Sequence, residues 1–203
     1  MCMHHKNNSQ PHTESGFALI MTLIVVGVLI SIGLTVLELT ISQVKLSTNA
    51  RASEVAFNAA NAGLECARYW RRQASDAMEI GDQIAPECFG DDIYITGSPV
   101  SPSSVSGTGA GDVYLYDYEF TWGEAGDRCT QVITLVVVSE DVPLNELVVS
   151  EAAILAVIPG YDGSDLSCTA GARCTVMSVR GYNSNCTQVS NFGTVQREVL
   201  LQF

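Results

Sequence analysis

Seven cysteines, three histidines and a pair of glycine-flanked aspartates are the side chains of this 203-residue sequence with the most chemistry to offer. Their placement decides what that chemistry is. His4, His5 and His12 all precede Gly16, so the rest of the chain lacks the commonest general base and the commonest zinc ligand. The acidic residues are spread through loop-like stretches and none stands in a recognisable catalytic motif, so neither an enzymatic activity nor a cofactor is expected. Division at Gly16 also makes the cysteines even: Cys2 falls before it, and Cys66, Cys88, Cys129, Cys168, Cys174 and Cys186 remain. In an oxidising compartment these six form disulfides, with their connectivity open. A metal site would favour C-x-x-C spacing, whereas the closest pair, Cys168 and Cys174, has five residues between its members. Asp162 and Asp165, beside Gly160 and Gly163, are the one calcium candidate. Their spacing fails the EF-hand pattern and no terminal Glu follows, which favours an ordinary Asx-rich turn.

Charge narrows the partners. The formal net charge is −12, from 22 acidic and 10 basic residues, and Lys45 is the only lysine after Gly16. No nucleic-acid groove is expected, because phosphate binding needs clustered Lys and Arg. The single basic cluster, Arg68, Arg71 and Arg72, reads as a solvated helix face that complements a helix C-terminus.

The elements that carry these residues begin with Phe17–Leu37, 21 residues without a charge. As a helix they span roughly 31 Å, one hydrocarbon core. The run is too long for a secretory signal and leads directly into more helix. Residues 17–37 are therefore expected to cross a membrane once, with the N-terminus inside and Lys6 as the positive-inside signal. Glu38 marks the return to water. Residues 38–77 contain no proline and are rich in alanine, with Val44, Val55, Ala59, Ala62 and Cys66 at three- and four-residue steps. This predicts an amphipathic continuation of the same helix, its small side chains lying close against a sheet. Gly81 and Pro86 stop it, and a chain folding back pairs Cys66 with Cys88.

Residues 78–203 read as one disulfide-stabilised antiparallel sheet domain. A short strand is expected at 93–96, then a flexible surface loop at 97–111 whose Gly, Ser and Pro composition buries almost nothing. From Asp112 to Gly123 the period becomes two, with Tyr114, Tyr116, Tyr118, Phe120 and Trp122 on the face that packs on the helix. Cys129–Val138 returns as the partner strand, its run Ile133–Val138 marking a buried central position. Ala153–Ile158, Thr175–Val179 and Val195–Phe203 are further strands. The fold class is α+β, a long N-terminal helix packed on an antiparallel sheet.

Ser15-Gly16-Phe17-Ala18-Leu19-Ile20 resembles the junction cut by prepilin peptidase in type IV pilins and pseudopilins. Phe57-Asn-Ala-Ala-Asn-Ala-Gly-Leu-Glu65 is similar to the corresponding segment of PilX-type minor pilins. The resemblance covers Ser15 to Arg68. It implies a leader, residues 1–16, that is removed after Gly16, and Phe17 as the first mature residue, N-methylated. It further implies that the membrane is the cytoplasmic one and that the helix leaves it to join other pilin subunits in a cell-surface pilus. Met21 stands where filament subunits of that family usually carry glutamate, which points to a minor or priming subunit near the tip, with adhesion as a further role. The alternatives are a type II secretion pseudopilin, and a membrane-anchored ligand-binding domain using the aromatic stripe and the 97–111 loop.

Overall fold

The computed structural model describes residues 15–88, 99–123, 126–142 and 146–203. The expected strand at 93–96 and positions 1–14 of the expected leader lie outside them. The chain divides into two units, residues 1–48 and 49–203. Helix α1, Ser15–Gln73, begins in the first and ends in the second.

In the first unit every described side chain of α1 is exposed, including all the large apolar ones from Phe17 to Leu46. Its polar residues face a problem, because a free hydroxyl among apolar neighbours costs energy once water is gone. The helix solves it locally. Thr22 donates to the Leu19 carbonyl at 2.9 Å and Ser31 to that of Val28 at 2.8 Å. Thr35 and Thr40 turn back on their own helix in the same way.

The second unit is built around a five-stranded antiparallel sheet. Its strands are β1 (Ser103–Ser104), β2 (Gly111–Trp122), β3 (Arg128–Ser139), β6 (Arg173–Tyr182) and β7 (Gln196–Gln202), in the order β1-β2-β3-β6-β7. The expected hairpin is β2 with β3, in register from Gly111 opposite Ser139 to Trp122 opposite Arg128. β3 lies in the middle of the sheet, and Ile133–Val138 is buried apart from a half-buried Val138.

Period two sorts the side chains onto two layers. Tyr116, Tyr118 and Phe120 join Val132, Val136, Met177 and Val179 in the core beneath Ala67 of α1 and Met78 of the short helix α2 (Ser75–Ile80). On the opposite face Val113, Leu135, Val137 and Val176 pack under a small layer. This layer comprises β4 (Leu147–Val149), α3 (Glu151–Val157) and β5 (Leu166–Cys168), with β4 and β5 pairing as a separate two-stranded sheet.

Three expectations are corrected. Ala153–Ile158 lies mostly in α3 rather than in a strand. A short apolar run fits either element, and Ser150 decides it by accepting the Ala153 N–H at 3.3 Å as an N-cap. The helix near residue 77 is two helices, because α1 ends at Gln73 and α2 closes at Gly81, which adopts a left-handed φ of 75°. Finally, the composition of 97–111 suggested almost no burial. In its described part, 99–111, Val100 is buried, Val100 bridges Ile84, β1 pairs with β2, and Thr108 bridges Val148.

Candidate functional site

Two features carry the functional weight: the apolar N-terminal segment of α1, and the seating of the later part of the helix on the sheet. The segment is the one described helix long and apolar enough to cross a membrane, and its apolar stretch has no burial within the protein. Gly16 and Phe17 lie in its first turns, Gly16 with open space where a Cβ would stand and Phe17 exposed. Met21 is exposed one turn on, and Gly27 and Gly33 leave open notches along the same segment. With its hydroxyls satisfied within the helix and no charge from Phe17 to Leu37, the segment suits either lipid or a packed bundle of similar helices.

Seating within the second unit depends on small residues. Ala56, Ala59 and Ala60 are fully buried, and the helix backbone at Ala56 and Ala60 lies directly on Gly181 of β6, where any Cβ would collide with it. Gly63 lies over Thr130 and Val179 in the same manner. Thr130 donates to the Ala59 carbonyl at 3.1 Å and accepts the Trp122 indole N–H at 3.0 Å. Sequence reasoning missed Gly181, because the strand was expected to end at Val179; a glycine inside a strand, where β6 places it, marks a close backbone approach.

The basic cluster divides. Arg72 is exposed and Arg68 half-buried, in keeping with a solvated face. Arg71 is buried, and its guanidinium donates to Thr175 Oγ1 at 3.1 Å and to Glu79 at 3.0 Å. Glu79 accepts from Arg173 on its other oxygen at 3.0 Å, so one carboxylate ties α1 and α2 to the start of β6. Nothing in the local sequence of Arg71 revealed this, because Arg173 is remote in the chain.

The six cysteines form three bonds: Cys66–Cys88, Cys129–Cys186 and Cys168–Cys174, with Cα separations of 5.7, 4.7 and 5.9 Å. The first ties α1 to the chain returning from α2. The second ties β3 to the 3-10 turn Cys186–Gln188, and the third ties the small sheet to the large one. Among the described residues Glu119, Cys129 and Cys186 come close enough to resemble a metal-ligand group. Their two sulfurs are bonded to each other and so are not available as thiolates. Asp165 has a partner in its own fold, accepting the Glu151 N–H at 2.8 Å at the start of α3, and Asp162 lies in the same turn.

Two core tyrosines make the fold sensitive to alkali. Tyr116 donates to the Asp82 carbonyl at 2.9 Å, and burial foremost, with Tyr114 and Asp82 adding to it, pushes its hydroxyl up to about 12. Burial alone raises Tyr118 strongly. The folded chain keeps these protons where the unfolded chain, titrating near pH ~10, has lost them. The contribution of these two tyrosines to stability should therefore be flat below about pH 10 and fall as pH rises towards about 12, by up to ~1.4 kcal/mol per unit for each tyrosine. Denaturant midpoints against pH, followed with tyrosinate absorbance, check this. A Tyr116→Phe chain should show a shallower alkaline limb.

Comparison with known proteins bears on the first feature. Residues 15–65 match the family model described as PilX N-terminal. Over those residues the chain is similar to PilX-type, type IV pilin-like proteins. The match opens at Ser15, one residue before the Gly16-Phe17 junction, and ends at Glu65, just before the first disulfide cysteine. A long helix on an antiparallel sheet accords with the type IV pilin fold. No curated protein and no solved structure matches the chain. The sheet domain lies beyond the matched residues, so its disulfide pattern and small second layer are described from its own structure alone.

Proposed function

We propose that this type IV pilus-related minor pilin takes part in pilus assembly or priming, close to the filament tip, and that it acts by assembly rather than catalysis. The observation that carries the reading is the exposed, uncharged run Phe17–Leu37 within the PilX-matched segment, with Met21 at its fifth position after Gly16. A carboxylate there would need a cationic partner to be buried among apolar helices. Met21 imposes no such requirement, so the helix can enter a bundle without a charged neighbour above it. That suits a subunit with nothing beyond it in the filament. Prepilin peptidase is the processing partner, cutting after Gly16, and other pilin subunits are the helix's partners once it leaves the membrane.

Intact-mass analysis of protein from cells with active prepilin peptidase should give a chain beginning at Phe17 and carrying one methyl group. Retention of residues 1–16 in such cells would overturn the processing step. Gold labelling of the second unit should mark filament ends, and deletion of the gene should lower pilus number more than pilus length. Uniform labelling along the shaft would contradict the tip position.

A further inference from the structure

The two edges of the five-stranded sheet differ. One is blunted by β1, a strand of two residues. The other is β7, seven residues long, with no strand beyond it among the described residues. Long open edges invite pairing, and proteins usually disarm them with proline, lysine or a bulge. β7 reads Gln-Arg-Glu-Val-Leu-Leu-Gln, without proline or lysine, and Val199, Leu200 and Leu201 are half-buried. Its two charges point elsewhere: Arg197 donates to Ser53 at 2.7 Å, and Glu198 pairs with Arg180 at 3.5 Å.

The ladder fixes which backbone groups are open. Phe203 and Thr175 exchange both N–H···O bonds, at 3.0 and 2.8 Å. Antiparallel pairing alternates, so the groups of Leu201 and Val199 also face β6, while those of Glu198, Leu200 and Gln202 face away from it. Beside this edge, on the helix side, Leu201 and Phe203 line a groove of about 280 Å³ with Arg68 and Arg72 of α1. Arg68 holds only an exposed pair with Glu65, and Arg72 makes no ion pair among the described residues. In a chain of net charge −12 this is a local reversal of sign.

We propose that the β7 edge and the adjoining groove bind an extended, acidic peptide segment of another protein by strand addition. The segment's backbone would pair with Glu198, Leu200 and Gln202. An apolar side chain would enter the groove over Leu201 and Phe203, and a carboxylate would meet Arg72 and Arg68. The proposal does not depend on the pilus reading, since it rests on the sheet edge and the two arginines.

The test uses the full chain in detergent micelles and three synthetic peptides: alternating valine and threonine ending in two aspartates, the same ending in two lysines, and the acidic peptide with a central proline. Fluorescence anisotropy should show saturable binding of the acidic peptide, weakened about tenfold or more by each change. Hydrogen exchange at the Leu200 and Gln202 amides should slow on binding. Gln202→Pro removes one outward donor and no bond to β6, so it should lower affinity while leaving thermal unfolding unchanged. Arg72→Glu should weaken the acidic peptide about tenfold and strengthen the lysine one. Equal binding of the proline peptide, or unchanged exchange at Leu200 and Gln202, would overturn the proposal. So would protection of those amides in the free chain that grows with protein concentration, which would assign the edge to a second copy.

Discussion

Gly181→Val should unseat α1 from the sheet and cost at least about 3 kcal/mol, enough to leave many small domains partly unfolded. The reason is that the new side chain would meet backbone. A Cβ at Gly181 collides with the Ala56 carbonyl oxygen and the Ala60 nitrogen, and a helix cannot move two successive turns aside without giving up Ala56, Ala59 and Ala60 as buried contacts. Gly63→Ala makes the instructive comparison. Its Cβ would meet Thr130 Cγ2 and Val179 Cγ1, side-chain rather than backbone atoms, so the strain can be relieved by turning Thr130 at the expense of its bonds to Ala59 and Trp122, and a loss of about 2 kcal/mol is expected. Denaturant unfolding of the two variants should show Gly181→Val with the far lower midpoint. Equal midpoints would mean that the helix does not press on β6 as described.

Removal of Cys129–Cys186 by double substitution to alanine should be the most damaging of the three disulfide deletions, at about 4 kcal/mol. The bond closes a loop with a sequence separation of 57, against 22 for Cys66–Cys88 and 6 for Cys168–Cys174. Restraint of the unfolded chain grows with the logarithm of loop length, which gives about 3 and about 2 kcal/mol for the other two. Cys129 is also fully buried, so its loss leaves a small void beside β3. Chemical denaturation of the three paired variants should rank them in that order. If the Cys168–Cys174 deletion proved the most harmful, restraint of the unfolded chain would not be what these bonds chiefly supply.

Legibility in the sequence followed the range of the interactions. The apolar segment was readable because bilayer thickness sets its length, and β2 because alternation over twelve residues admits one period. The helix side of β2 was readable too: alanines at helical spacing and a stripe of aromatics are complementary shapes. α3 was misread because Ala-Ile-Leu-Ala-Val-Ile suits either element, and the deciding group, Ser150, stands outside the run. The small second layer was missed with it, since β4 and β5 are three residues each. Arg71 looked like its neighbours Arg68 and Arg72. Its burial depends on Glu79 and on Arg173, which no local pattern brings together. The sheet edge escaped notice because openness belongs to strand order, which becomes visible once all five strands are placed.

The Cys66–Cys88 bond has a mechanical consequence. Tension entering the second unit along α1 from its N-terminal side first loads the seating at Ala56, Ala59 and Ala60. Once the strain reaches Cys66 it crosses the sulfur bridge into Cys88 and bypasses everything between. The last turns of α1, all of α2 and the Arg71–Glu79–Arg173 clasp are thus out of the load path. At ~3.4 Å per extended residue, the bridge withholds roughly 75 Å of slack that a reduced chain would pay out under the same pull. The bond therefore behaves as a length limiter, keeping a stretched subunit short while its core remains folded.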